Sequence, residues 1–109
     1  SRCCVVAASA IDARDRERVL SSLAAAGRHV EIIDALQMAG FAGNVLELRA
    51  ADSGSVLAMS AAAHAAFGPA AIERLASTVN RMVVAPIPTI ETLGGGSVRC
   101  MLAEVFLPY

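Results

Sequence analysis

The sequence predicts an α/β fold. Three observations carry that expectation. Two short runs, Cys4–Ala8 and Met82–Ala85, are apolar throughout and read as buried strands, and Val30–Ile33 reads as a further strand. Between them lie segments whose apolar residues recur at helical spacing. A polar turn, Asp52–Ser53–Gly54, separates Val45–Arg49 from Val56–Met59 and marks a hairpin.

Taken in order, Cys4–Ala8 is the first strand. Asp12 is placed as an N-cap, with acidic Asp15 at the third helical position as in a capping-box variant. The helix that follows gathers Val19, Leu20 and Leu23 on one side and leaves Arg14 to Arg18 mostly solvated. Gly27 ends it as a left-handed cap, and Val30–Ile33 is the second strand. Asp34–Gly40 reads as one helical turn before a loop over Phe41–Asn44. After the hairpin, Ser60 caps an alanine-rich helix that stops near Gly68. Pro69 then opens another, whose expected inner face is Ile72, Leu75, Ala76 and Val79. Met82–Ala85 is expected as a buried strand, stopped by Pro86 and Pro88, with Thr89 capping a turn toward Gly94. A final apolar strand is expected over Met101–Leu107. The order hairpin–helix–strand over Val45–Ala85 is a ββαβ unit.

Composition sets the bounds. The 109 residues allow one small domain, 1–109, with a modest core. Hydrophobic residues make up 56% and aromatics 4%, so the interior must be packed from Ala, Val, Leu and Ile. The net charge of −1 gives no electrostatic reason to expect nucleic acid or a membrane surface as partner. All nine basic residues are Arg, which together with the heavy Ala usage reads as compositional bias. No apolar stretch approaches the roughly 20 residues that span a bilayer. Cys3, Cys4 and Cys100 show no zinc spacing, and a disulfide between the adjacent pair would be strained. Reduced thiols in a cytoplasmic protein, with no metal and no cofactor, are expected.

Chemistry concentrates in APIPTIETLGGGSVRCMLAEVFLP, Ala85–Pro108. Three glycines, Gly94 to Gly96, let the backbone turn sharply and approach a ligand. Cys100 follows them beside Arg99, as a nucleophilic thiol would; a small buried hydrophobe is the other reading of the same residue. GGGSVRC is neither GxGxxG nor a P-loop, so nucleotide binding is set aside.

GGGSVRCMLAEVFLP resembles the C-terminal catalytic segment of the guanidino-group-modifying enzymes, the arginine deiminase and amidinotransferase superfamily. QMAGFAGNVLEL, Gln37–Leu48, is similar to the segment before the last repeat in the arginine deiminase-related branch that includes citrulline-utilisation hydrolases. The resemblance implies a pentein, a five-bladed α/β propeller of ββαβ units, here the end of the fourth unit and the fifth. It implies that residues 1–109 are the C-terminal portion of a longer catalytic domain. It makes Cys100 the nucleophile that attacks the central carbon of a guanidino or ureido group, forming a thiouronium-type intermediate. Gly95, Gly96, Ser97 and Asn44 then surround an arginine- or citrulline-like substrate.

The superfamily uses a His as general acid and base, and neither His29 nor His64 lies in its His motif, which would fall before Ser1. Both are expected in surface or structural roles. Glu47 and Glu91 are expected to be solvated or to brace loops, while Asn44 is equally readable as a turn residue and Arg99 as a thiol-acidifying or ion-pairing group. The isolated 109 residues are expected to be inactive. An amidinotransferase, or a non-catalytic remnant or assembly module that pairs with another copy, are the alternatives.

Overall fold

A computed structural model describes residues 2–51 and 54–105. Strand β1 (Cys3–Val6) pairs in parallel with β2 (His29–Ile32), the two being joined by a 3-10 turn and helix α1 (Ala13–Ala25). A second, three-stranded sheet has the order β3–β4–β5. In it β3 (Leu46–Arg49) runs antiparallel to β4 (Ser55–Ser60), and β5 (Arg81–Ala85) returns parallel to β4 after helix α3 (Ala61–Ala76). This is the ββαβ order expected from the sequence. Asp52 and Ser53 of the expected hairpin turn lie outside the described residues, but the flanking strands pair as a hairpin requires, and Ala50 N donates to Gly54 O at 2.8 Å.

Local chemistry explains most boundaries. The Asp12 carboxylate accepts from the Arg14 amide at 2.9 Å and caps α1. Asp15 completes no capping box; it pairs with Arg18 instead. A full capping box appears one element later. The Asp34 carboxylate accepts from Gln37 N at 2.7 Å, while Gln37 Oε1 accepts from Asp34 N at 3.0 Å, so the five-residue α2 (Ala35–Ala39) is closed at its start. Ser60 Oγ accepts from Ala63 N and caps α3, which breaks at Gly68 (φ 74°) before Pro69, as the sequence predicts.

The core lies between β4 and α3. Met59, Ala63, Phe67, Ala71 and Leu75 are buried there, joined by Leu57, Ile33 and Ala42. The inner face of the later half of α3 is Ala71 and Leu75, with Ile72 half-buried; Ala76 is exposed, because the restart at Pro69 sets the phase of that half-helix. Two polar ties join the β1–β2 segment to α3 and the turn that follows it. Buried Glu31 on β2 accepts two hydrogen bonds from Arg74 of α3, at 2.7 and 2.9 Å. Arg2 Nε donates to Thr78 O at 3.1 Å.

Three strand expectations change. β1 is half-buried along its length: it pairs with β2, and Cys3 and Val5 pack against the core. β5 lies at a sheet edge and exposes Val83 and Val84. The strand expected after Cys100 is absent over Met101–Val105: Cys100 and Met101 belong to a single helical turn, α5 (Val98–Met101), and Leu102–Val105 are irregular and exposed. Phe106 and Leu107 lie outside the described residues.

Candidate functional site

β5 runs through Pro86 into α4 (Pro88–Gly94), where Pro88 occupies the first helical position and Ile87 the cap, so Thr89 does not cap this helix. Gly95 ends α4 in the left-handed region, φ 66°, which a side chain would disfavour. The chain reverses and enters α5 at Ser97. Within α5, Val98 is buried against β4 whereas Cys100 is exposed. Two residues apart on a helix lie on opposite sides, so anchoring Val98 in the core presents Cys100 outward.

The thiol is held by polar contacts. Asn44 Nδ2 donates to Cys100 Sγ at 3.0 Å, and Arg99 N donates to Asn44 Oδ1 at 2.8 Å. Gly96 backs against the cysteine so closely that an added Cβ would stand 3.2 Å from its Cβ and 3.3 Å from Sγ. Ser97 is fully buried; its Oγ donates to Glu91 Oε1 at 2.7 Å, and its carbonyl accepts from Cys100 N. Glu91 thus braces the bend, since its own carbonyl also accepts from Gly95 N.

These contacts set the acidity of the thiol. Its pKa is lowered, chiefly by the hydrogen bond from Asn44, then by a backbone hydrogen bond from Ser97, with the nearby Arg99 charge a smaller contribution. Cys3 moves the opposite way, because burial and the negative charge of Glu31 disfavour its thiolate. None of the three cysteines is joined in a disulfide, and Cys100 is the exposed one.

Asn44 is delivered by a chain of local constraints. Gln37, besides capping α2, donates from Nε2 to Ala66 O at 3.2 Å and so ties α2 to α3. Gly40 faces Ala66 Cβ at a distance, 2.7 Å from an ideal Cβ position, that admits no side chain. Phe41 turns the chain at φ 66°, Ala42 is buried completely, and Asn44 N closes the turn on Phe41 O at 2.8 Å. These contacts within QMAGFAGN fix where the Asn44 amide stands.

A groove of about 450 Å³ beside this point is lined by Met38, Phe41, Asn44 and Gly95, among others. Another, of about 350 Å³, runs between the two sheets and includes Glu47 and Arg99. Of the proposed substrate contacts, Asn44 and Gly95 border the first groove. Gly96 packs on Cys100, and the Ser97 hydroxyl is engaged inside the bend.

The histidines lie elsewhere. His29 Nε2 is 3.2 Å from Glu31 Oε2, and His64 is exposed on α3. Among the described residues, no group of three or more His, Cys, Asp or Glu side chains is placed to hold a metal ion, and no helix is long and apolar enough to cross a membrane. What sequence reasoning missed is the direct bond from Asn44 to the thiol. The FAGN block pointed to Asn44, but only the fold brings it across 56 positions to Cys100.

Searches of curated proteins and of solved structures returned no match. The family model described as N,N dimethylarginine dimethylhydrolase, eukaryotic, matches residues 1–107. The guanidino-modifying superfamily expected from the two motif blocks is thereby established, and within it the match names the dimethylarginine family. With an exposed, acidified thiol at its glycine bend and this match over nearly its whole length, the chain belongs to the N,N dimethylarginine dimethylhydrolase family, a pentein family of guanidino-modifying hydrolases.

Proposed function

We propose that this chain carries the nucleophile of a cysteine hydrolase acting on the guanidino group of methylated arginine. The observation that supports it most is the exposed Cys100 thiol with its lowered pKa, set in the GGGSVRC segment whose resemblance to the superfamily's catalytic segment suggests a nucleophile there. In this reading the Cys100 thiolate attacks the central guanidinium carbon, making a C–S bond. The substituted nitrogen is protonated and leaves as an amine, giving a thiouronium-type adduct. Water then adds to the same carbon, the C–S bond breaks, and a ureido product departs as the thiolate is restored.

In this reading the planar group enters by the groove beside Asn44 and Gly95. Neither His29 nor His64 is hydrogen-bonded to Cys100, so turnover in this reading draws its acid–base group from outside the described residues, and residues 1–109 alone are expected to bind and react without cycling. The β1–β2 pair corresponds in this reading to the end of the fourth propeller unit, and β3 to α5 to the fifth. A cytoplasmic location and a small-molecule partner complete it.

The test is substrate protection. Alkylation of Cys100 by iodoacetamide, followed by peptide mass spectrometry, is expected to slow when N,N-dimethylarginine is present and not when leucine replaces it. Equal rates in the two solutions would remove the support for this function.

A further inference from the structure

We infer that Asn44 is a thiol-positioning residue, one whose amide donates to the Cys100 sulfur and so holds it in the form that attacks. The inference rests on the hydrolase reading for its chemical meaning, but its evidence is geometric.

An amide side chain can be turned end for end, and sulfur can either donate or accept, so a contact between Asn and Cys is ambiguous by itself. Here a third group removes the ambiguity. The Arg99 backbone N–H lies 2.8 Å from the other end of the Asn44 amide, and a backbone N–H can only donate. The end facing Arg99 is therefore the oxygen, and the end facing Cys100, 3.0 Å from Sγ, is the NH₂. That NH₂ can only donate, so the sulfur accepts. A thiolate is an acceptor without a competing proton, and a donor fixed upon it favours it over the thiol.

Asn44 follows the closed Phe41–Asn44 turn and completely buried Ala42, so the amide is held by elements that do not include α5. α5 docks with two bonds to one side chain, one fixing the backbone of the turn and one fixing the sulfur. Few charges surround this point. β4, against which α5 packs, carries no ionisable side chain, and neither does the 41–44 turn. Arg99 lies on the cysteine's own turn, Glu47 of β3 shares a groove with Arg99, Glu91 on α4 is engaged with Ser97, and Glu104 lies farther along the chain. The neutral amide thus does what a cation does at many reactive cysteines, without adding a charge beside a cationic guanidinium substrate.

The experiment compares the chain with Asn44→Ala and Asn44→Asp. Iodoacetamide alkylation of Cys100 is followed by mass spectrometry across pH, with Cys3 and Cys4 as internal references. In Asn44→Ala the pH midpoint should move upward and the neutral-pH rate should fall roughly threefold or more, since both the donor and the fixed geometry are lost. Asn44→Asp keeps an oxygen for the Arg99 N–H, so its melting should stay close to that of the parent chain, yet its midpoint should also rise because a carboxylate now faces the sulfur. Unmoved midpoints in both variants, with only melting changed, would make Asn44 a brace for the turn and overturn the inference. Loss of dimethylarginine protection in the parent chain, with the Asn44 shifts intact, would sink the hydrolase reading and leave this one standing.

Discussion

The region around β4 and α3 and the region around α4 and α5 are held together by different physics. In the first, Met59, Phe67, Ala71 and Leu75 exclude water from one another, and stability comes from area and close packing. In the second, Val98 is the sole buried apolar residue, Leu93 and Met101 are exposed, and the segment is fastened by directional bonds among Asn44, Arg99, Cys100, Ser97 and Glu91. Burial makes a scaffold that tolerates little loss of volume. Hydrogen bonds make a site whose geometry and acidity can change while the scaffold survives.

The largest expected effect is in the scaffold. Leu75→Ala removes a fully buried side chain from the centre of the cluster and should cost about 3 kcal/mol of unfolding free energy in denaturant titration. Reactivity of Cys100 should follow that loss only through unfolding. If the variant stayed folded with altered thiol chemistry, the two regions would be coupled more closely than their contacts indicate.

The Arg74–Glu31 tie between α3 and β2 comes next. Hydrogen bonds from Arg74, and secondarily from His29, hold the Glu31 carboxyl below its ordinary range against the opposing effect of burial. A lowered folded-state pKa means that the stabilisation is complete above the ordinary carboxylate range and is lost as pH falls through the folded value. Melting temperature should therefore drop on acidification in the parent chain, whereas Glu31→Gln should start lower and show a flatter acid limb. An unchanged acid limb would place the acid sensitivity elsewhere.

Effects on stability shrink at the cysteine segment. Ser97→Ala removes the 2.7 Å bond to Glu91 and should cost about 1 kcal/mol, seen as a small shift in the denaturation midpoint. Gly96→Ala should change melting least of all, yet its Cβ would press on Cys100 Cβ and Sγ from 3.2 and 3.3 Å and displace the thiol by a few tenths of an ångström. Slower alkylation of Cys100 with nearly unchanged melting would sharpen the contrast, and slower alkylation only with lost melting would erase it.

The same division governs what the sequence revealed. Caps and breaks act over three or four residues, so Asp12, Ser60, Gly68 and Pro69 could be read in place. The ββαβ order was legible because the hairpin and the later helix each carry their own pattern. Exposure of β5 and half-exposure of β1 were not, since an apolar run has the same letters whether or not a neighbour covers it. The run after Cys100 misled for a related reason: MLAEVFL, Met101–Leu107, is apolar enough for a strand, but Met101 belongs to a helical turn that starts after Ser97 and fastens on Asn44. Motif resemblance found Cys100 and Asn44 separately. The contact between them depends on a turn with Phe41 at positive φ and on α3 supporting α2, which no local pattern encodes.

The most direct measurement is selective labelling. The chain is incubated near neutral pH with a haloacetamidine, a guanidinium mimic that alkylates thiolates, and its cysteine peptides are weighed, with Cys100→Ala as the control. The account predicts that Cys100 is labelled well ahead of half-buried Cys3 and Cys4, and faster by the amidine than by the matching haloacetamide. Labelling of all three cysteines alike, or of Cys100 at the same rate by both reagents, would contradict it.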